Sequence, residues 1–187
     1  MRAFLAISLP PDVRGALALL QQELAQSQAD VKWVEPDNLH VTLKFLGEIT
    51  EEQRQAIEAM LRNIAEKEEP LTLSVKELGA FPSAAAPRVV WVGLDEGRER
   101  VIRMAEAIER EGAALALLKE ERPFASHVTL GRVRSPRHRH ELTQRLQHAQ
   151  WVPPAPWRVK AVTLYQSTLN ASGPTYTPLT EVPLSHA

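Results

Sequence analysis

The sequence predicts an α+β fold: a bilobal molecule of antiparallel-rich sheets with helices packed on their outer faces. Three observations carry this reading. The tetrapeptide His-Val-Thr-Leu occurs at 40–43 and again at 127–130, each time in a run with the alternation of a half-buried strand. The elements run strand, helix, two strands, helix, strand, strand, helix, strand, helix, strands, without the regular alternation of a doubly wound parallel sheet. The two tetrapeptides lie 87 positions apart, about half the chain. That spacing predicts two similar, intertwined lobes about a pseudo-two-fold axis, forming one domain over 1–187 with a central cleft.

Arg2 to Leu9 reads as the first strand. Pro10 and Pro11 suit the first turn of a helix, where the missing N–H costs nothing, and Val13, Leu17, Leu20 and Leu24 recur at helical spacing to about Ser27. Val31 to Val34 is a short extended piece, and Pro36-Asp37-Asn38 is a turn delivering His40. The first motif strand runs to Leu46 and stops at Gly47. Thr50-Glu51-Glu52-Gln53 is a capping box opening a helix with Ile57, Leu61 and Ile64 inside. Leu71, Leu73 and Val75 alternate in a strand to about Leu78. A two-proline loop comes next over Phe81–Pro87, then a buried-looking strand over Arg88–Leu94. Gly97 to about Leu118 is helical, broken near Gly112. Pro123 to Gly131 carries the second motif. Ser135-Pro136 pairs an N-cap with a first-turn proline for a helix to about Ala149. A proline-rich turn at Trp151–Pro156 leads to a strand over Trp157–Ser167. Gly173-Pro174 turns into a last strand over Tyr176–Val182.

Composition narrows the function classes. Of 187 residues, 44% are hydrophobic and 24% charged, the balance of a globular chain rather than a disordered one. There is no cysteine, which excludes disulfides, thiolate nucleophiles and Cys-ligated metal sites and is compatible with a reducing cytoplasm. The N-terminal apolar run is too short for a signal peptide or a membrane span. Net charge is −1, so any nucleic acid is expected to be gripped locally, at one end or one phosphate, rather than wrapped.

In a strand, residues two apart share a face. His40 therefore projects with Thr42, and His127 with Thr129. Val41, Leu43 and Phe45, like Val128 and Leu130, point to the opposite, apolar side. Two such faces meeting would offer two imidazoles and two hydroxyls to one phosphodiester. The hydroxyls can donate to non-bridging oxygens. One neutral histidine can take a proton from water while the other, cationic, protonates the departing oxygen. An unperturbed pKa of about 6.5 makes both forms available near neutrality, and each proton transfer is worth roughly 10²–10⁴ in rate. Such chemistry needs no metal. Zinc on the two histidines is the competing reading, but no spaced carboxylate or HExxH accompanies them, and His138-Arg139-His140 does not share a helix face.

Lys44 shares the face of His40 and Thr42 by alternation and is a further candidate for the phosphate. Arg132 alternates to the wrong side unless a bulge at Gly131 returns it. Arg134, Arg137 and Arg139 read as a solvated surface. Trp33, Phe81, Trp91 and Tyr165 could stack a base, although core packing accounts for each.

With these residues in view, the chain resembles the RNA 2′,3′-cyclic phosphodiesterases, or 2′-5′ RNA ligases, of the two-histidine (2H) phosphoesterase superfamily. The two His-x-Thr-x motifs carry the resemblance. Arg2–Pro10, Trp33–Gly47, Arg88–Gly93, Leu164–Leu169 and Gly173–Leu179 extend it over almost the whole chain. One departure is visible: Phe124-Ala125-Ser126 stands before His127, where the family usually has proline. The resemblance implies a 2H phosphoesterase fold and a metal-independent hydrolase acting in RNA processing. It would open a terminal 2′,3′-cyclic phosphate to a 2′-phosphate, with ATP-independent 2′-5′ ligation as the reverse chemistry. It makes His40 the proton donor to the leaving 3′-oxygen, His127 the proton acceptor from water, and Thr42 and Thr129 the phosphate holders. It implies no cofactor, no metal and no membrane, and a cytoplasmic monomer whose partner is an RNA with a 2′,3′-cyclic phosphate end. The competing readings are a 2H esterase for small cyclic nucleotides and an RNA-end binding module without turnover.

Overall fold

The computed structural model describes residues 1–185. In chain order the elements are β1 (Arg2–Ser8), α1 (Pro11–Ala25), β2 (Val31–Trp33), β3 (His40–Glu48), α2 (Glu51–Ala65), β4 (Leu71–Leu73), β5 (Val75–Ser83), β6 (Ala86–Leu94), α3 (Arg98–Gly112), β7 (His127–Val133), α4 (Arg139–His148), β8 (Trp157–Val159), β9 (Ala161–Asn170) and β10 (Gly173–Pro183). Short 3₁₀ turns occupy Pro36–Asn38 and Ala113–Leu115. The α+β class with two antiparallel sheets and flanking helices is as expected. The larger sheet has eight strands in the order β10-β9-β1-β3-β7-β6-β5, with β2 also paired to β7, and β4-β8 forms the smaller one.

Both motif strands lie in the larger sheet, as neighbours. They meet at one ladder pair, Val41 with Val128, and part on either side of it. Two half-sheets therefore join at a single point, β10-β9-β1-β3 on one side and β7-β6-β5 with β2 on the other. The two motif strands therefore present His40, Thr42, His127 and Thr129 on one face of a single sheet, opposite the helices.

The other face is covered by helices, as the sequence pattern requires. Leu5, Ile7, Val41, Leu43, Val90, Val92, Val128 and Leu130 are all 4% exposed or less. They meet the apolar faces of the helices: Leu17 and Leu24 on α1, Ile57 and Leu61 on α2, Val101 and Ile108 on α3. α2 packs with α3 against β3, β9 and β10, while α1 packs with α4 behind β6. The capping box forms as read: Gln53 N donates to Thr50 Oγ1 at 3.1 Å, and Thr50 N donates to Gln53 Oε1 at 2.9 Å. No helix among the described residues is long and apolar enough to cross a membrane.

Several element boundaries differ from expectation, each for a local reason. The proline loop at 81–87 is a hairpin: Pro82 faces Pro87 across it, tolerated because Pro82 lies on the edge strand β5 and Pro87 lies at the start of β6, before its ladder with β7 begins at Val89. α3 stops at Gly112, and Ala116 turns left-handed (φ 55°) after the 3₁₀ turn. The second motif strand begins at His127, not Pro123. α4 starts at Arg139 because Arg134 N to Asp30 O and Asp30 N to Arg137 O tie the Ser135-Pro136 segment to the chain before β2. The Trp157–Ser167 strand splits, its first three residues pairing with β4 in the small sheet.

Candidate active site

The registers around the two motifs match pair for pair. On one side Phe4, Leu5, Ala6, Ile7 and Ser8 face Phe45, Lys44, Thr42, Val41 and His40. On the other, Val89, Val90, Trp91, Val92 and Gly93 face Arg132, Gly131, Thr129, Val128 and His127. Both ladders skip one residue straight after the threonine, Leu43 in β3 and Leu130 in β7. Such a bulge reverses the in–out phase of the residues after it. The pseudo-two-fold axis thus passes by the Val41–Val128 pair. Counting out from it, an antiparallel ladder sets Thr129 beside His40 and His127 beside Thr42, all on the uncovered face.

The bulges decide two of the candidates. Arg132 returns to the face of His127 and Thr129, as a bulge at Gly131 would require, and is exposed there. Lys44 goes the other way, which corrects the expectation that it lies beside His40. It pairs with Leu5 on the helix side, its side chain only 2% exposed, and Nζ donates to Glu109 Oε2 and to the Leu118 carbonyl, both at 2.6 Å. Phe45, expected inside, is 55% exposed on the open face instead. Strict alternation failed at both places because an extra residue is invisible to a period-two pattern. In β7 the bulge is held from behind: Gln21 of α1 donates to the Leu130 carbonyl at 2.9 Å and to that of Val34 at 2.8 Å. A Cβ on Gly131 would lie 2.7 Å from Val31 Cγ1 and 2.8 Å from Trp33 Cε3, so only glycine fits.

Each histidine is pinned by the backbone just before its strand. His40 Nδ1 lies 2.6 Å from the Asn38 carbonyl and His127 Nδ1 lies 2.6 Å from the Ala125 carbonyl. A carbonyl only accepts, so Nδ1 carries the proton in both rings and Nε2 is left free to gain or lose one. Nε2 faces the motif threonine, at 2.8 Å from Thr42 Oγ1 and 3.2 Å from Thr129 Oγ1. With the ring neutral, the hydroxyl donates to Nε2. Ser126 stands where the resemblance placed proline, directly before His127, and the carbonyl that holds the ring is that of Ala125.

Both imidazoles sit below the ordinary histidine range. For His40 burial is the main cause, opposed by the Asn38 carbonyl and reinforced by repulsion from His127, which marks the two rings as neighbours. For His127 burial again leads, opposed by the Ala125 carbonyl and reinforced by the Arg132 charge.

Aromatic walls flank both rings. His40 lies 5.0 Å from the Phe4 ring and 5.4 Å, edge-on, from Tyr176. His127 lies 5.4 Å, edge-on, from Phe81 and 6.5 Å from Trp91. Tyr165 stacks on Phe4 at 5.3 Å. Of the aromatic residues singled out from the sequence, Phe81, Trp91 and Tyr165 border the site. Trp33 does not: it borders a hollow against α1. Phe4, Phe45 and Tyr176 were missed. Phe4 was within reach, since it alternates with Ala6 and Ser8 beside the motif strand. No group of three His, Cys, Asp or Glu side chains among the described residues could hold a metal ion. A cavity of about 470 Å³ between α1 and α4 lies away from this site.

This geometry has known counterparts. The family described as LigT like phosphoesterase matches the chain twice, over residues 7–91 and 92–176, each match taking in one His-Val-Thr-Leu. A protein of Methanothermobacter thermautotrophicus named RNA 2′,3′-cyclic phosphodiesterase is 36% identical over 177 residues, 95% of either chain. One of the same name from Aquifex aeolicus is 37% identical over 151 residues, 80% of either chain. The crystal structure of TT0787 of Thermus thermophilus superposes with a TM-score of 0.80 at 30% identity, covering 100% of this chain and 99% of that one. Escherichia coli LigT complexed with 3′-AMP also gives 0.80, at 28% identity, covering 99% and 98%. Two copies of one motif, mirrored in register about a single strand pair and matched by the family description in each half, establish that the chain belongs to the LigT-like phosphoesterases.

Proposed function

We propose that the chain hydrolyses an RNA terminal 2′,3′-cyclic phosphate to a 2′-phosphate, using His40 and His127 as acid and base. The observation that carries this is the pair of Nδ1-anchored imidazoles presenting Nε2 to one shared face. A phosphodiester seated between them is attacked roughly in line, so the entering and leaving oxygens sit on opposite sides of phosphorus. His127 Nε2, neutral under the Arg132 charge, takes a proton from water. The water oxygen bonds to phosphorus, the bond to O3′ breaks, and His40 Nε2–H gives O3′ its proton. The hydroxyls of Thr42 and Thr129 turn from Nε2 to the non-bridging oxygens, and Arg132 adds a charge-assisted contact to the same anion. Lys44 has no part in this, being on the far side of the sheet.

Each half supplies one histidine–threonine pair, so the working unit is one domain of two intertwined lobes, complete in a single copy. The names of the relatives and the 3′-AMP and phosphate complexes of Escherichia coli LigT support the substrate class. The same reading places the enzyme in the cytoplasm with its RNA. The test is an RNA ending in 2′,3′-cyclic phosphate, incubated in chelator, with identification of the hydroxyl that keeps the phosphate. A 2′-phosphate is expected. A 3′-phosphate would reverse the assignment of the leaving oxygen, and activity lost in chelator would replace acid–base catalysis with a metal.

A further inference from the structure

Beyond Arg132 the open face carries a second cation. Lys32 of β2 is the direct cross-strand partner of Arg132. Antiparallel partners share a face, and like charges placed opposite each other are destabilising. By contrast, Arg134 has Asp30 at 3.0 Å and Lys44 has Glu109 at 2.6 Å. Among the described residues neither Lys32 nor Arg132 forms an ion pair. Both are exposed.

The Lys32 ammonium is also placed at an entrance. The β9–β10 hairpin tip leans over from the other half-sheet. Asn38 Nδ2 hooks the Pro174 carbonyl at 3.0 Å, and Lys32 Nζ lies 3.8 Å from where a Cβ on Gly173 would be. Tyr176, on the same strand as Gly173, stands against His40. The site is thus bordered on this side by an unmatched pair of cations whose inner member, Arg132, acts on His127. One arginine suffices for the reacting phosphate. A second cation in line with it fits a second anion one nucleotide away.

We propose that Lys32, beside Arg132, holds a second phosphate of bound RNA, one that does not react; where that phosphate belongs to the cyclic-phosphate strand, the enzyme favours oligonucleotides over mononucleoside cyclic phosphates. This rests on the function proposed above. The phosphate is a phosphodiester from one of two sources: the next linkage of the same strand, or a linkage of a second RNA whose 5′-hydroxyl takes the place of water. In the second case that hydroxyl loses its proton to His127, its oxygen bonds to phosphorus, and O3′ leaves with the proton of His40.

The experiment compares wild type, Lys32→Gln and Lys32→Arg on a mononucleoside 2′,3′-cyclic phosphate, a dinucleotide with the same end, and that dinucleotide with excess 5′-hydroxyl oligonucleotide. Binding of the dinucleotide and mononucleoside 2′-phosphates is measured alongside by calorimetry. If the phosphate comes from the same strand, Lys32→Gln lowers kcat/KM and affinity for the dinucleotide about fivefold, the size of one exposed charge contact. It also lowers the salt slope by about 0.7. The mononucleoside values stay within twofold, and Lys32→Arg restores the loss. If it comes from a second strand, Lys32→Gln leaves both hydrolysis rates alone and lowers the joined fraction of product by a similar factor. Equal loss on both substrates, or no change in any arm, overturns the proposal. Absence of turnover in wild type would overturn the proposed function instead, and the calorimetric comparison would still decide the role of Lys32.

Discussion

The buried pair of Lys44 and Glu109 gives the sharpest test of the structure, because the two partners are not equivalent. Lys44 is 2% exposed and Glu109 is 32% exposed. In Lys44→Met the side chain keeps its volume and loses its charge. The carboxylate left behind, 32% exposed, reaches water. The expected cost is about 1–2 kcal/mol, the worth of a charged hydrogen bond with rehydration available. In Glu109→Ala the ammonium is stranded beneath the sheet with one carbonyl, and breaking a buried pair in that way costs about 3–5 kcal/mol. With a urea slope of about 2 kcal/mol/M, the two midpoints should differ by about 0.5–2 M. Adding Lys44→Met to Glu109→Ala should restore stability, since the stranded charge is gone. Burial pushes the Glu109 carboxyl up, but Lys44 and the Glu120 N–H outweigh it and hold it below the ordinary range. Its contribution is therefore complete above the unfolded-state value near 4.5 and fades as pH falls through the lower folded value. The gap between wild type and Glu109→Ala must close over that window. Equal costs for the two single variants, or additivity in the double, would refute this placement of Lys44. So would a tenfold rise of KM in Lys44→Met, which the open-face position would have produced.

The site yields four further expected outcomes. Replacing His40 or His127 by alanine should lower kcat by about 10²–10⁴-fold, one proton transfer each, with urea midpoints little changed. The kcat/KM profile should be a bell whose two limbs both lie below the ordinary histidine value, because both imidazoles are lowered by burial. It falls on the acid side as the base is protonated and on the alkaline side as the acid loses its proton. Arg132→Gln removes one cause of the lowered His127 value, so its acid limb should move to higher pH while KM rises. Gly131→Ala should cost about 1–3 kcal/mol by overpacking against Val31 and Trp33, read as a lower urea midpoint.

How much of this was legible in the sequence differs by kind of signal. Periodicity located nearly every element, and the tetrapeptide repeat identified both catalytic candidates, because a strand's alternation puts His and Thr together whatever the rest of the chain does. The course of the strand beyond each threonine was not legible. Leu43 and Leu130 are ordinary strand residues, and nothing in them announces that the ladder skips them. The fates of Lys44, Phe45 and Arg132 all turn on that skip. It is set by long-range contacts, such as Gln21 reaching the Leu130 carbonyl from 109 positions away. The aromatic walls were hidden for the same reason: Tyr176 meets His40 only after β9 and β10 have folded onto β1. The hairpin at Phe81–Pro87 was misread because prolines argue against strands unless the strand is an edge, and edge position is a property of the whole sheet.

The mirrored registers carry a consequence for how the molecule tells one end of its substrate from the other. A frame with two equal halves has no built-in polarity; a phosphodiester would fit it equally well turned around. Polarity enters at the first outward-facing position after each skipped leucine, where one half offers a guanidinium at Arg132 and the other a phenyl ring at Phe45. An anion is drawn toward the first, a flat base toward the second. The two halves share one scaffold, and at this position two side chains give it a direction.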